Sequence, residues 1–376
     1  MKIVHVTETH EASAGGIPTV VDQLARQMSG AGVQVDIISI GRDPMPPPAT
    51  VRLANVPPRG IGKLWGWSPH LRETIEVFAL GDMDRLFHIH GAWLASQWCA
   101  ATVARRWRLP CILSLHGQLE PYHWKDRGHF HFVKKKLYWR VIAQPAFRSV
   151  RVIHAVTPEE KRNLAGLFDS RSIVVIPNAV DLDHIDRALD PASGLARRPV
   201  VGFVGRFHPK KGADILIEAF GLADLGQEWQ LLLAGPPGRR AYMVRLAELV
   251  ASSPARDRIR FVGPLVGEAK WQFYKTATVV AVPSLSEVIG MVNLEAAACG
   301  TPTITTYETG VEDWEDGGGM LVRPAVGELA EALSTMCSVG NVEYERRSAA
   351  SRRLVENRYS WSVVRELWVN LYHSVL

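Results

Sequence analysis

The feature that most constrains this chain is a regular alternation, kept up from end to end, between short β-branched runs and amphipathic stretches. Such alternation builds parallel strands joined by crossover helices, so the expected fold class is α/β, with doubly wound sheets. Residues 2–6 read as an opening strand. After the loop 10–16 comes a helix with Pro18 in its first turn, Val20, Val21, Leu24 and Met28 on one stripe, and Gly30 to end it. Residues 33–40, 86–90, 111–115, 150–156 and 173–176 read as further strands of the same sheet, and Ser68-Pro69 as the cap of another helix.

A turn-rich polar break, Asp-Pro-Ala-Ser-Gly-Leu-Ala-Arg-Arg-Pro, occupies 190–199, and residues 200–204 restart the rhythm. Strands are expected at 229–234, 259–262, 278–282 and 302–306, with helices near 212–223, 239–251, 267–276, 289–298 and 326–338. The implied domains are 1–192 and 193–356. They are followed by a segment 357–376 whose final helix carries Val364, Leu367, Trp368, Leu371 and Tyr372 on its apolar side. Two doubly wound domains leave a cleft at the carboxyl ends of their strands, where ligands bind in open α/β sheets.

Of the 376 residues, 47% are hydrophobic and 22% charged, which is enough apolar material for two cores. No run approaches the roughly 20 apolar residues of a membrane span, and the opening residues read as a strand rather than a leader, so a cytoplasmic location is expected. Cys99, Cys111, Cys299 and Cys337 lie far apart with no CxxC spacing, which argues for buried thiols rather than a disulfide or a metal site. The net charge of +5 resides in residues 1–195, with 23 Lys and Arg against 18 Asp and Glu, while the remainder is balanced. That bias suits an anionic partner, but it is too sparse for a nucleic-acid face.

Four motifs carry chemistry. Gly15-Gly16 lies between the first strand and its helix, where missing side chains let a ligand approach backbone amides. Gly205-Arg206-Phe-His-Pro-Lys-Lys211-Gly212 lies at another strand-to-helix junction, where Arg and Lys can clamp a diphosphate. Glu287 precedes a helix near Gly290, with Glu295 in its second turn and the amides of Gly290, Met291 and Val292 offering an anion site. His90-Gly91 and His116-Gly117 end two strands and are expected to face the cleft. Each motif alone has an ordinary structural reading: a tight turn, a solvated basic loop, a capping carboxylate or a hydrogen-bonded histidine. Asp82-Met-Asp84 and Asp181-Leu-Asp183 lack the acidic or histidine neighbours of a divalent site and read as turns.

Taken in order, these elements resemble family 4 of the retaining glycosyltransferases, the GT-B proteins of bacterial surface-polysaccharide type. The resemblance runs over nearly the whole chain. It rests on Gly15-Gly16, Pro177-Asn-Ala-Val-Asp181, Gly205-Arg206 with Lys211-Gly212, and above all the pair Glu287 and Glu295. Ile289 stands where the family usually has Phe, and Ala179 where it usually has Gly.

The resemblance implies two Rossmann-like domains with the last helix crossing back to the first, and a hinge about 190–199. It further implies a metal-independent hexosyltransferase with no cofactor beyond its nucleotide-sugar donor. On this reading Arg206 and Lys211 bind the diphosphate, Glu295 the ribose, and Glu287 with the amides after Gly290 the sugar. His116 also meets the sugar, and Gly16 admits the phosphate. His116, Glu287, Arg206 and Lys211 are the implied catalytic set, with His90 and Glu120 on the acceptor side.

Residues 122–151 join Lys125, Arg127, Lys134, Lys135, Lys136, Arg140, Arg148 and Arg151 to six aromatic residues, as a peripheral membrane surface requires. An anionic inner-membrane face and a lipid-linked saccharide acceptor are therefore expected partners, against a plainer reading of core aromatics and solvated lysines. The alternatives for function are a non-catalytic sugar-nucleotide-binding subunit, a GT-B epimerase and a phosphorylase.

Overall fold

The computed structural model describes residues 1–11, 16–81, 84–121, 124, 129–189, 196–311 and 313–376. They form two compact units, Met1–Pro177 with Arg365–Leu376, and Asn178–Val364.

The first unit is built on strands β1 (Lys2–Val6), β2 (Gln34–Ser39), β3 (Arg52–Asn55), β4 (Arg85–His90), β5 (Cys111–Ser114), β6 (Val152–Ala155) and β7 (Ile173–Val175). All pair in parallel, in the order β3-β2-β1-β4-β5-β6-β7. β1, β4 and β5 are buried at every position, which is why, after an opening Lys2 in β1 and Arg85 in β4, they read as apolar runs interrupted only by histidines and Ser114. The second unit carries β8 (Arg198–Val204), β9 (Gln230–Ala234), β10 (Ile259–Gly263), β11 (Ala277–Val282), β12 (Thr303–Thr306) and β13 (Met320–Val322), in the order β10-β9-β8-β11-β12-β13 and again parallel. Strand order reverses between β1 and β4 in one sheet and between β8 and β11 in the other. The carboxyl ends beside such reversals are where this class of sheet receives ligands.

Two strands and several helices go beyond the sequence reading. The strands are β3 and the three-residue β13, and the helices include Ala95–Arg106, Pro158–Leu164, Leu182–Ala188 and Asn341–Arg358. The helix expected after Ser68-Pro69 begins at Leu71, with His70 rather than Ser68 at its cap position.

Residues 178–189 pack with the second unit, so the chain changes unit before the polar break. Backbone pairing and an ion pair help to hold them there. Val180 bridges Ser360, and Asp186 accepts a two-point hydrogen bond from Arg352 at 2.8 and 2.7 Å. Of the break itself, 190–195 lies outside the described residues, and β8 starts at Arg198. Among the described residues no helix is long and apolar enough to cross a membrane.

Candidate functional site

In the second unit the loop after β8 meets the loop after β11. Gly212 makes this possible: its φ is +69°, and a Cβ there would stand 2.1 Å from the Pro283 carbonyl oxygen. Leu285 N–H donates to the Lys210 carbonyl at 2.8 Å and ties the loops together. The Lys211 ammonium pairs with the Glu287 carboxylate, which also accepts from Ser284 Oγ at 3.0 Å. Glu287 is further held by its own amide, which donates to the Glu308 carbonyl at 2.7 Å. Arg206 is exposed and has no side-chain hydrogen bond or ion pair among the described residues. The loop is strongly positive. His208 is held below its ordinary pKa by burial and by Arg206, Arg239, Lys210 and Lys211 around it.

The helix Met291–Ala298 starts beside Glu287. Gly290 N–H is not free, because it donates to the Thr309 carbonyl at 3.2 Å; Met291 and Val292 are the first-turn residues that remain to receive an anion. One turn on, Glu295 accepts from Lys270 Nζ and from Tyr274 Oη, each at 2.8 Å. Lys270 and Tyr274 come from the preceding helix Glu268–Thr276 and were not singled out in the sequence. Tyr274 is fully buried, and burial together with the adjacent Glu295 charge holds its phenol well above the usual pKa. Glu295 is therefore a carboxylate fixed by a cation and a neutral hydroxyl. Such a group can accept hydrogen bonds from vicinal hydroxyls without reorganising.

In the first unit, Gly16 is the first residue of the helix Gly16–Gly30, and a Cβ placed there would meet nothing within 4 Å. Protein packing therefore does not require glycine at this position. Gly15 lies outside the described residues.

His116 follows β5 with φ +49°, a left-handed conformation that costs a side-chain-bearing residue and is held only where the surroundings enforce it. Enforcement comes from Glu160, whose carboxylate accepts from Gly117 N–H at 2.6 Å and Val156 N–H at 2.7 Å. Burial drives the Glu160 carboxyl up to about 7 against those two donors. Gln118 adds a bond from Ala92 N–H at 2.8 Å.

His90 is fully buried, with one ring nitrogen bonded to His5 and the other to His116, both at 2.9 Å. It supports His116 from beneath rather than facing a ligand. Glu120 is half-buried and accepts from Asn163 Nδ2 at 2.5 Å.

Asp181 caps the helix Leu182–Ala188 by accepting from His184 N–H at 2.9 Å, the turn role expected of it. Asp82 lies outside the described residues. All four cysteines are free, three of them buried and Cys337 half-buried.

The sequence pattern of a family described as Glycosyltransferase Family 4 matches residues 14–184, and that of Glycosyl transferases group 1 matches residues 198–338. Among curated proteins, a D-inositol 3-phosphate glycosyltransferase of Kineococcus radiotolerans is 29% identical over 96% of this chain and 91% of its own. A protein of the same name from Geodermatophilus obscurus is 31% identical over 79% of this chain and 71% of its own. Among solved structures, Anabaena HepE in complex with UDP and glucose superposes over the full length of both chains with a TM-score of 0.77 at 19% identity.

Proposed function

From its membership of glycosyltransferase family 4, we propose that this chain is a retaining, metal-independent transferase that moves a hexose-type sugar from a nucleoside-diphosphate donor to a saccharide acceptor. The observation that supports it best lies in the second unit, where Arg206, Lys211, Glu287, the first-turn amides of Met291 and Val292, and Glu295 occupy the strand-order reversal between β8 and β11. Breaking the bond from sugar to phosphate builds charge on the departing diphosphate. Arg206 and Lys211 supply cations for it, the work a divalent ion does in other transferases. Glu295 takes the ribose hydroxyls, and Glu287 the sugar hydroxyls. His116, in the first unit, meets the donor sugar. Retention follows if the acceptor hydroxyl enters on the face the diphosphate leaves, with a phosphate oxygen receiving its proton.

Thermal unfolding in the presence of a chelator tests the donor site, because a ligand held only by the native state at a hundred times its Kd adds about 2.7 kcal/mol of stability. One nucleotide among UDP, GDP, ADP and TDP, or its sugar conjugate, is expected to shift the transition. UDP is tried first, since HepE was solved with it. No shift with any of them would remove the donor-site reading, for a transferase and for a sugar-nucleotide-binding subunit alike. An α-linked product from an α-donor, read by NMR, checks retention.

The acceptor reading is a lipid-linked saccharide at an anionic membrane face. It rests on the helix His129–Tyr138, none of whose side chains is buried. Phe130, Val133, Leu137 and Val141 are exposed at a helical spacing, with Lys134, Lys136 and Arg140 exposed among them. The aromatics of this region divide: Trp139 is buried in the core, Trp124 and Tyr138 are half-buried against it, and Phe130 is exposed. Arg151 stays exposed but donates to the Val375 carbonyl. Tyr122, Lys125 and Arg127 lie outside the described residues. Flotation with anionic vesicles at low salt is expected to capture the protein, and Phe130→Asp with Leu137→Asp to release it; no binding to anionic vesicles would sink this acceptor reading.

A further inference from the structure

Five histidines lie together in the first unit: His5 on β1, His88 and His90 on β4, His116 after β5 and His154 on β6. Two hydrogen-bonded chains link them. In the first, every proton can be placed. His154 Nε2 meets the Ile176 carbonyl at 2.7 Å and must donate, so His154 Nδ1 accepts from Ser114 Oγ at 2.7 Å. Ser114 then accepts from His88 Nε2 at 2.6 Å, and His88 Nδ1 accepts from Tyr372 Oη at 2.8 Å.

The second chain, His5 Nδ1 to His90 Nε2 and His90 Nδ1 to His116 Nε2, can run either way with three neutral rings. Its inner end decides the direction. His5 Nε2 is buried and has no hydrogen-bond partner. If the chain ran inward, that atom would be an orphaned N–H; if it runs outward, the atom is only an unused lone pair. Orphaned buried N–H groups are much the rarer of the two. The outward chain has His5 Nδ1–H donating to His90 and His90 Nδ1–H donating to His116 Nε2. The His116 proton is then on Nδ1, an atom with no hydrogen-bond partner among the described residues.

We propose that His5 and His90 are positioning residues that fix His116 as a neutral imidazole with its proton on Nδ1, presenting a hydrogen-bond donor, and not a base, to a sugar hydroxyl or phosphate oxygen. Its part in transfer rests on the donor-site reading above; the tautomer itself does not. Burial supports the neutral state throughout, taking His5 and His116 down to about 3 and His154 to about 4, with His88 and His90 well below their ordinary value. Among the described residues no acidic side chain acts on the five rings to oppose this: around His88 and His90 the charged-form neighbours are the other histidines, around His116 it is His154, and around His5 it is His10.

His5, His88 and His90 also bring ring nitrogens within 4.8 Å of one another, close enough for a metal ion. In the outward arrangement, however, His88 Nδ1 and His90 Nε2 already accept protons, so only His5 keeps a free lone pair.

Long-range proton–nitrogen NMR on protein carrying 15N-histidine reads the tautomers directly, with single-histidine variants for assignment. The expected spectrum has His116 and His90 protonated at Nδ1, His88 and His154 at Nε2, and no change in any of them with zinc or chelator. His116 protonated at Nε2, an imidazolium at neutral pH, or a joint zinc-induced shift of His5, His88 and His90 would overturn the proposal.

For function, His5→Leu removes the donor that starts the chain, whereas His5→Asn keeps an N–H near the Nδ1 position. His5→Leu is expected to mix the His116 tautomers and lower kcat at least about tenfold with a smaller change in donor KM, as loss of an orienting group does in a catalytic triad. His5→Asn is expected to restore most of it. Equal kcat in wild type and a folded His5→Leu overturns the positioning role. If His5→Leu does not fold, the wild-type spectrum and His5→Asn carry the test. The predicted tautomers without any nucleotide-induced stabilisation would leave the chain standing and remove the transferase reading.

Discussion

Lys211 enters the resting site already paired, so a donor diphosphate has to share its ammonium with Glu287 or take it over. Charge on the diphosphate grows toward the transition state, and a cation there stabilises the transition state more than the bound donor. Lys211→Ala is therefore expected to raise donor KM and lower kcat together, with kcat/KM down by about a hundredfold; steady-state kinetics showing an unchanged kcat would end that role. Glu295→Ala acts differently, because its carboxylate, fixed by Lys270 and Tyr274, is assigned to the ribose, which does not react. Calorimetry with the nucleoside diphosphate is expected to show binding weakened by about tenfold or more, the loss of one to three kcal/mol typical of a charged hydrogen-bond partner, with a lesser effect on kcat at saturating donor. The spacing of Glu287 and Glu295 was legible in the sequence because one short helix and the loop that leads into it carry the information. Lys270 and Tyr274 were not, since only the packing of the preceding helix against Met291–Ala298 brings them to Glu295. Glu160 left one local trace, its place three residues after Thr157, whose hydroxyl caps the helix Pro158–Leu164.

At the scale of elements, that helix start works as a clamp on the left-handed turn at His116. The Glu160 carboxyl has its pKa raised from 4.5 to about 7, chiefly by burial. A raised pKa means the folded state holds the proton more tightly than the unfolded chain, so this contribution to stability is complete below 4.5 and is lost as pH rises through 7. At about 1.4 kcal/mol per pKa unit the change is about 3 kcal/mol across that window. Glu160→Gln has no proton to lose, and leaves one of the two backbone N–H donors poorly matched. Urea midpoints of the two proteins from pH 5 to 8 are expected to converge as pH rises, with wild type losing its advantage; parallel curves would mean that Glu160 ionises as an ordinary carboxyl.

Two kinds of element were legible from the sequence: the strands β1, β4, β5 and β11 as short apolar runs buried on both faces, and the helix Val326–Ser338 by its periodic apolar stripe. Arg52–Asn55, as Arg-Leu-Ala-Asn, has no β-branched residue and forms an edge strand through its pairing with β2 alone. Asn341–Arg358 is polar almost all round and buries only Tyr344, Ser351 and Val355, so it offers no apolar stripe to find. Its Glu343 is gripped instead by Arg346 and Arg347 on its own surface.

At the scale of the whole molecule, the chain leaves the first unit after Pro177 and re-enters it at Arg365, so the last residues of the chain complete a core begun by the first. Trp368 and Tyr372 show what that return accomplishes. Trp368 packs its ring 5.1 Å from His88 and 4.5 Å from His154, and Tyr372 donates to His88 Nδ1. The helix therefore covers the buried histidines and also supplies the first donor of the chain that runs through Ser114 to His154, whose direction the Ile176 carbonyl fixes at the other end. These two functions separate by substitution. Tyr372→Phe keeps the ring and removes the donor, leaving a buried lone pair unmatched, at an expected cost of about 1 to 3 kcal/mol. Trp368→Ala opens a cavity against two imidazoles, at an expected cost of about 3 to 5 kcal/mol. In Tyr372→Phe the 15N spectrum should keep His88 protonated at Nε2, because the Ile176 carbonyl still orders that chain through His154 and Ser114, and should leave His116 fixed as well, because the two hydrogen-bonded chains share no bond. A disturbed His116 in that variant would mean that the two chains are one network, and the C-terminal helix would then govern the candidate site as well as the stability of the unit it completes.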